Sequence, residues 1–393
     1  MKPVVIVGSG LAGVTVAREL RKLDNETPLV IVTRDAGSVY SKPMLSNALA
    51  GGRSAGALAT ADAAALAAQV KGEVVTGREI ASIDSAARSL RLADGGALDY
   101  RQLVLALGAD PIRLPIAGDG ADAVLSVNDL ADYASFRAAI EPARHVTILG
   151  GGLIGCEFAN DLLASGRQVA VIDPAAWPLS RLLPEAIGQA FRERLATAGV
   201  DFRFGVTAAR IDRSSTAGNV SADSGHSLTV TLSNGETIAT NAVLSAIGLA
   251  PRTGLAKAAG LTVNRGIVVD RQLRTSEAGI FALGDCAEVC GNVLPYVMPL
   301  MNAARALAKT LAGQPTDVVY PAMPVVVKTP AAPLTVCPPA IGAAGQWQMA
   351  QADGDSLEAT FVGDGGQMLG FALLNVAPAR RQALTKELPP LLA

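Results

Sequence analysis

The sequence is poor in the residues on which most hydrolytic, metal and thiol chemistry depends. Its 393 residues include 2 histidines, 4 cysteines and only 4% aromatics. Cys156, Cys286, Cys290 and Cys337 form no C-x-x-C pair, and their scatter suits neither a disulfide framework nor a zinc site. Cys286 and Cys290 stand four apart, so a shared helix face and a redox role remain open beside the ordinary reading as buried or incidental thiols. His145 lies just before a strand and His226 in a Ser/Gly-rich hairpin, and both read as surface residues rather than as a base or a metal ligand. No apolar run reaches the length of a bilayer span, since the alanine-rich stretch 59–68 is broken by Thr60 and Asp62. The chain starts directly on an apolar strand without a charged leader, so no secretory signal is expected and a soluble cytoplasmic protein is the reading. With 33 Lys and Arg against 35 Asp and Glu, the net charge of -2 argues against a general nucleic-acid binder, while leaving room for a local basic patch that meets a small acidic protein.

What the chain has is length, apolar content and glycine. Its length suits two or three domains, and a composition that is 50% hydrophobic and 17% charged is that of an α/β protein with a large core. Gly8-Ser9-Gly10-Leu11-Ala12-Gly13 follows the apolar run Val4 to Val7 and opens a stretch where Val16, Leu20 and Leu23 recur at the spacing of one helix face. In such a strand–turn–helix, the first glycine makes the turn, the second lets backbone approach a pyrophosphate, and the third lets the helix pack on the strand. The phosphates then lie at a helix N-terminus, where free N–H groups and the helix dipole favour negative charge. The arrangement recurs: Gly150, Gly152 and Gly155 follow the apolar segment His145 to Leu149. Two such turns imply two bound dinucleotides. The fold expected is α/β, with two Rossmann-like dinucleotide-binding domains and a small C-terminal α+β domain.

Between and beyond these turns the chain reads in order. Pro28 to Thr33 is a second buried parallel strand. A ribose-binding acid is expected at its end, where Thr33, Arg34 and Asp35 stand; Asp35 is a candidate ribose ligand, and Arg34 is a candidate to lie along the adenosine instead. Tyr40-Ser41-Lys42-Pro43-Met44-Leu45-Ser46 reads as a loop whose lysine, taken alone, is a solvated cation. Short strands follow at Val74–Val75 and 79–83, then a hairpin over 89–99 turned at Asp94-Gly95-Gly96 and a buried strand over 101–109. Pro111 to Gly118 is a crossover to a second domain. In that domain Gln168 to Asp173 is the second strand, and Asp173 lies about twenty residues past the glycine turn, where a carboxylate accepts hydrogen bonds from the ribose of NAD and repels a 2′-phosphate. Arg181 stands nearby, so NADPH is disfavoured but not excluded. A helix is expected over 190–199, a hairpin over 228–239 turned at Asn234-Gly235, and a closing strand over 242–248, with Pro251-Arg252 as the return crossover. The segment 275–285 ends a strand at Gly284-Asp285, on the edge that faces the ligand crevice of an open α/β sheet; read alone, Asp285 is equally a cap or turn aspartate. Pro299 to Leu311 is helical. From Tyr320 the composition turns to proline-rich strands at 324–330 and 359–361, a glycine turn at 363–366, the strand 367–374, and a closing helix near 378–388. The domains are therefore expected at 1–112 with 249–319, at 113–248, and at 320–393.

By Asp285 the order of Gly8 to Gly13, the 40–43 loop, Leu105 to Gly108, Gly150 to Gly155 with Glu157, Asp173, 246–252 and 275–285 resembles the flavoprotein disulfide reductase superfamily, which binds two dinucleotides, over most of the chain. Ser41-Lys42-Pro43 and Ala282-Leu283-Gly284-Asp285 are similar to the ferredoxin reductase branch of it. Segments 5–23, 40–46 and 324–330, with the short C-terminal domain, resemble the rubredoxin-reducing members of that branch. The resemblance implies FAD at the first site, held through Gly8 to Gly13, Thr33, Arg34 and Lys42, with Ile80 a backbone contact to adenine. It implies that Gly284 and Asp285 meet the ribityl or pyrophosphate oxygens, that Val297 lies beside the flavin, and that Lys328 reaches it from the tail domain. NADH then sits on Gly150, Gly152, Gly155 and Asp173. Thr33-Arg34 departs from the acidic ribose ligand of many relatives. Implied too is an activity: NADH passes a hydride to flavin, which hands electrons singly to rubredoxin, a small iron protein, in an alkane hydroxylation chain. Reduced flavin would gain from the free N–H groups of the helix starting near Met298. Lys42 and Glu157 are expected to pair beside the flavin as catalytic residues, because each alone would be costly in a dry crevice. Alternatives are a ferredoxin reductase serving an oxygenase, a thiol-dependent disulfide reductase, and a non-catalytic FAD/NAD redox sensor.

Overall fold

The computed structural model describes residues 1–214, 227–350 and 355–393, so His226 lies outside the described residues. Five short strands of almost wholly apolar sequence form one parallel sheet, in the order Ile280–Ala282, Gln102–Leu105, Val4–Val7, Leu29–Val32, Glu73–Val75. Apolar residues throughout such strands are what a sheet covered on both faces requires. Helices Leu11–Arg21 and Val297–Leu311 pack together on it, and Thr15 Oγ1 comes within 3.8 Å of Met301 Sδ. The first helix stops at Arg21, so Leu23 lies beyond its cap and is exposed rather than on the buried stripe.

A second parallel sheet runs Val124–Leu125, Ala242–Ser245, His145–Leu149, Gln168–Asp173, Val200–Phe204. His145 is half-buried as the first residue of its strand. The chain passes between the two sheets twice, at Ala109–Pro111 and at Leu249–Pro251, and these segments pair antiparallel. Residues after 320 form an antiparallel sheet in the order Val325–Val327, Leu334–Cys337, Met368–Leu374, Leu357–Gly363, Gly345–Ala350, followed by helix Pro378–Glu387. Two of these strands, Leu334–Cys337 and Gly345–Ala350, are additions to the reading from sequence.

The segment read as a loop after Tyr40 is instead a 3₁₀ helix, Lys42–Asn47, with proline at its start, where a missing N–H costs nothing. Its Leu45, with Ala48 and Leu49, joins a core shared by Phe158 and Leu162 of the second domain and by Leu334 and Leu374 of the tail. Three sequence-distant parts thus meet around helix Leu153–Ala164. Among the described residues no helix is long and apolar enough to cross a membrane.

Candidate functional site

The two glycine turns have the same steric logic. Gly8 and Gly150 have φ of +114° and +107°, a region that side chains with a Cβ avoid. A Cβ on Gly150 would stand 2.6 Å from the Ala246 carbonyl oxygen, and one on Gly8 would meet that of Ala106. At Gly13 and Gly155 an added Cβ would fall on the carbonyl oxygen of the turn's own first glycine, so helix and strand close up only without a side chain. Around the middle glycines, Gly10 and Gly152, nothing lies within 4 Å of where a Cβ would be. Each is the residue before the first helical turn, and neither helix has a side-chain cap bond or an acidic residue in that turn. Open space over free amide donors at a helix N-terminus fits a pyrophosphate. Leu11 and Ala12 begin the first helix, and Ala12 closes on Gly284, where a Cβ would come within 2.9 Å.

The ends of the two second strands differ. Asp173 accepts Gly151 N–H at 2.6 Å through one oxygen and Ala175 N–H at 2.7 Å through the other, so the carboxylate is fixed against its own glycine turn at the end of Gln168–Asp173. In the first domain Ser9 Oγ donates toward Thr33 Oγ1 at 3.0 Å and toward Asp35 Oδ1 at 3.1 Å, and Asp35 Oδ1 also takes the Gly37 N–H at 2.8 Å. One oxygen of the candidate ribose ligand is therefore occupied by the turn. Arg34 Nη2 lies 3.9 Å from Asp110, which sits on the first crossover strand and is bound more closely by Arg252, at 2.5 Å. The Arg252 guanidinium holds Asp110 below the usual carboxylate range. Sequence reading left Asp110 and Arg252 out of the site; the pairing of the two proline-marked crossovers that carry them is what brings them together. Ile80 is buried at the start of strand Ile80–Asp84.

The expected pair of Lys42 and Glu157 is corrected by the geometry, since each has another partner. Lys42 Nζ lies 3.8 Å from Asp285, at the crevice end of the strand Ile280–Ala282. Burial lowers the Lys42 pKa, against an opposing pull from Asp285. The cation that meets Glu157 is Lys328, whose ammonium is 2.5 Å from Glu157 Oε2 and whose backbone N–H donates to Oε1 at 3.0 Å. Ser46 Oγ donates to the same carboxylate at 2.6 Å, and the Lys328 ammonium also donates to the Pro43 carbonyl at 2.5 Å and to Ser46 Oγ at 2.8 Å. Glu157 is 2% exposed, and with three donors already on it has no need of Lys42. The two lysines are nonetheless linked through one short segment, because Lys42 opens the 3₁₀ turn that Lys328 grips at Pro43 and Ser46.

Val297 is the first residue of helix Val297–Leu311 and is exposed; that helix too lacks a side-chain cap, leaving the N–H groups of Val297 and Met298 free for an anion, while Pro299 has none. The thiols stand apart from this chemistry. Cys286 and Cys290 do not share a helix face: Cys286 is buried in a 3₁₀ turn with its pKa pushed up to about 11 by burial, and Cys290 is exposed at a residue with φ of +47°. Burial pushes Cys156 up as well, with Asp173 and Glu157 adding to it, and raises Cys337 to about 11.

Comparison with known proteins adds the following. Residues 2–308 match the family model described as pyridine nucleotide-disulphide oxidoreductase, and residues 317–388 match the one described as rubredoxin binding C-terminal domain. The chain is 50% identical over 392 residues to a rubredoxin-NAD(+) reductase of Alcanivorax borkumensis, with all of both chains covered. It is 45% identical over 398 residues to a protein of the same name from Acinetobacter baylyi, covering 100% of this chain and 99% of that one. Among solved structures, the covalent putidaredoxin reductase–putidaredoxin complex superposes with a TM-score of 0.86 at 28% identity, over 99% of this chain and 94% of that one.

Proposed function

The chain belongs to the pyridine nucleotide-disulphide oxidoreductase family, and from that premise we propose that it is an NADH-dependent FAD enzyme that reduces rubredoxin. FAD, when bound, would supply the conversion of a two-electron donor to one-electron transfers that a single-iron acceptor needs. The protein's own part is binding, alignment and exclusion of water. In this reading Gly8, Gly10 and Gly13 with Ser9, Thr33 and Arg34 hold FAD, and Gly150, Gly152, Gly155 and Asp173 hold NADH. Lys42, Asp285, Val297 and Lys328 border the flavin. Lys42 supplies positive charge where negative charge accumulates, and its weak, 3.8 Å tie to Asp285 leaves its ammonium donors available. The fixed Asp173 carboxylate favours NADH, because a 2′-phosphate would be repelled there.

The observation that carries the reading is the pair of glycine turns, each with its middle glycine facing open space, in a chain whose residues 317–388 match a rubredoxin-binding domain. A thiol-dependent reaction is disfavoured, because burial holds three of the four thiols protonated and the exposed fourth sits at a surface turn. A cytoplasmic location and a place in alkane hydroxylation are part of this reading. The test is anaerobic stopped-flow mixing of NADH-reduced protein with purified rubredoxin and, separately, with a ferredoxin. Rubredoxin should be reduced with saturating kinetics and ferredoxin much more slowly. Equal or faster ferredoxin reduction would reassign the acceptor, and absence of flavin reduction by NADH would end the enzyme reading.

A further inference from the structure

Helix Leu153–Ala164 opens at the second glycine turn and carries Glu157, Asn160 and Asp161 at spacings of three and four, hence on one face. All three are buried, at 2%, 8% and 3% exposed. Burying polar groups on a helix face is unfavourable unless every one finds a partner, and hydrocarbon would pack there as well or better. Here each does find one, and the partners come from two distant parts of the chain. Asp161 takes the Leu49 N–H at 2.8 Å through one oxygen and the Ala50 N–H at 3.0 Å through the other. Asn160 Oδ1 takes the Ala331 N–H at 3.1 Å, and Glu157 takes Ser46, the Lys328 N–H and the Lys328 ammonium. One helix face thus grips the chain just after the Lys42–Asn47 turn and the chain at 328–331.

Glu157 is hydrogen-bonded by the Lys328 ammonium, whereas the hydrogen bonds to the Asp161 carboxylate come from backbone amides. Two adjacent amides on the two oxygens of one carboxylate fix a loop in position and direction, where a single acceptor would leave it a pivot. The loop so fixed is the continuation of the turn that carries Lys42 and Ser46. We propose that Asp161 is a positioning residue for flavin reduction: it clamps Leu49 and Ala50 to the NAD-side helix and thereby sets Lys42 and Ser46 relative to Lys328. The proposal rests on the NADH–FAD reading above.

The test compares Asp161→Ala and Asp161→Asn with Tyr133→Phe in the FAD-loaded full chain. Tyr133 OH donates to the Arg53 carbonyl at 2.9 Å and so ties the far end of the same segment, and this hydroxyl makes no hydrogen bond to the lysine turn. Two readouts are needed: the flavin reduction rate at saturating NADH together with the Kd for NADH, and amide hydrogen exchange over residues 44–50 in the protein without NADH. Asp161→Ala should slow flavin reduction about tenfold or more, since small misplacements of catalytic groups cost this much. Its Kd for NADH should stay within about twofold, and exchange over 44–50 should quicken. Asp161→Asn, which keeps one acceptor, should fall between it and wild type. Tyr133→Phe should stay within about twofold in rate. If Asp161→Ala does not accumulate as folded protein, the Asn variant decides. Wild-type reduction rates in the Asp161 variants, whether or not exchange changes, would overturn the proposal, and so would an equal slowing in Tyr133→Phe. Should wild-type flavin fail to respond to NADH, the functional reading falls, while the exchange arm still reports whether Asp161 holds the loop.

Discussion

The two dinucleotide turns are built alike and set in different surroundings. Each has a first glycine with φ above +100°, a third glycine on which a Cβ would strike the first glycine's carbonyl, and a middle glycine with open space above it. After that they diverge. The first helix is a packing element, with Val14, Val16, Ala17 and Leu20 buried against the first sheet and the helix Val297–Leu311. The second helix carries a buried polar face that holds a 3₁₀ turn of the first domain and a turn of the tail. Binding a dinucleotide requires only the turn and the strand that follows, so the rest of the helix is available for other work. In one domain that work is core packing; in the other, beside the packing of Phe158 and Leu162, it is fastening the Lys42–Asn47 turn, the chain just after it and the chain at 328–331.

The largest effects expected are steric. Gly13→Val and Gly155→Val force a side chain onto a carbonyl oxygen and should cost about 3 kcal/mol or more of stability, preventing helix from closing on strand. Compared free of FAD and NADH, Gly10→Ala and Gly152→Ala should keep thermal stability near wild type, because their Cβ atoms enter open space. Thermal unfolding followed by circular dichroism separates the two classes, and similar losses at the middle and third glycines would break the comparison. Next in size is Lys328→Met, which leaves the buried Glu157 without its cation and should cost about 2 kcal/mol; Lys42→Met, whose ion pair is looser and part-exposed, should cost less than about 1 kcal/mol. Adding Glu157→Gln should recover much of the Lys328→Met loss. If Lys42→Met proves the more damaging, the assignment of Lys328 to Glu157 is wrong. Smaller still is Asp173→Asn, expected to weaken NADH binding about threefold through weakened ribose hydrogen bonds while FAD content is unchanged. An equal affinity for NADH in that variant would separate Asp173 from the ribose.

What could be read from sequence was what neighbours in sequence decide. Strand, glycine turn and helix lie within some twenty residues of one another, so Gly8 to Gly13, Gly150 to Gly155 and the distance to Asp173 announce themselves. The partner of Glu157 lies 171 residues further on, and only the docking of the tail sheet settles that it is Lys328 and not Lys42. Nothing in the sequence marks Asn160 and Asp161, because periodicity shows that they share a face with Glu157 and not that two other segments cover that face. The 3₁₀ turn at Lys42–Asn47 escaped because a helix of that kind is too short for an apolar period. Strand Gly345–Ala350 is an edge strand whose residues are nearly all exposed, and its alternation, Gln346-Trp347-Gln348-Met349, is too brief to mark a half-buried strand.

The assignment of one turn to FAD and the other to NADH is tested most directly by comparing the flavin spectra of Gly10→Glu and Gly152→Glu before and after NADH. Either substitution starts from a Cβ with nothing within 4 Å of it and puts a carboxylate beside its turn. Gly10→Glu should purify folded but colourless. Gly152→Glu should purify yellow, stay oxidised when NADH is added, and bleach with dithionite. A yellow Gly10→Glu protein that NADH reduces normally, or a Gly152→Glu protein reduced by NADH at the wild-type rate, would contradict the account.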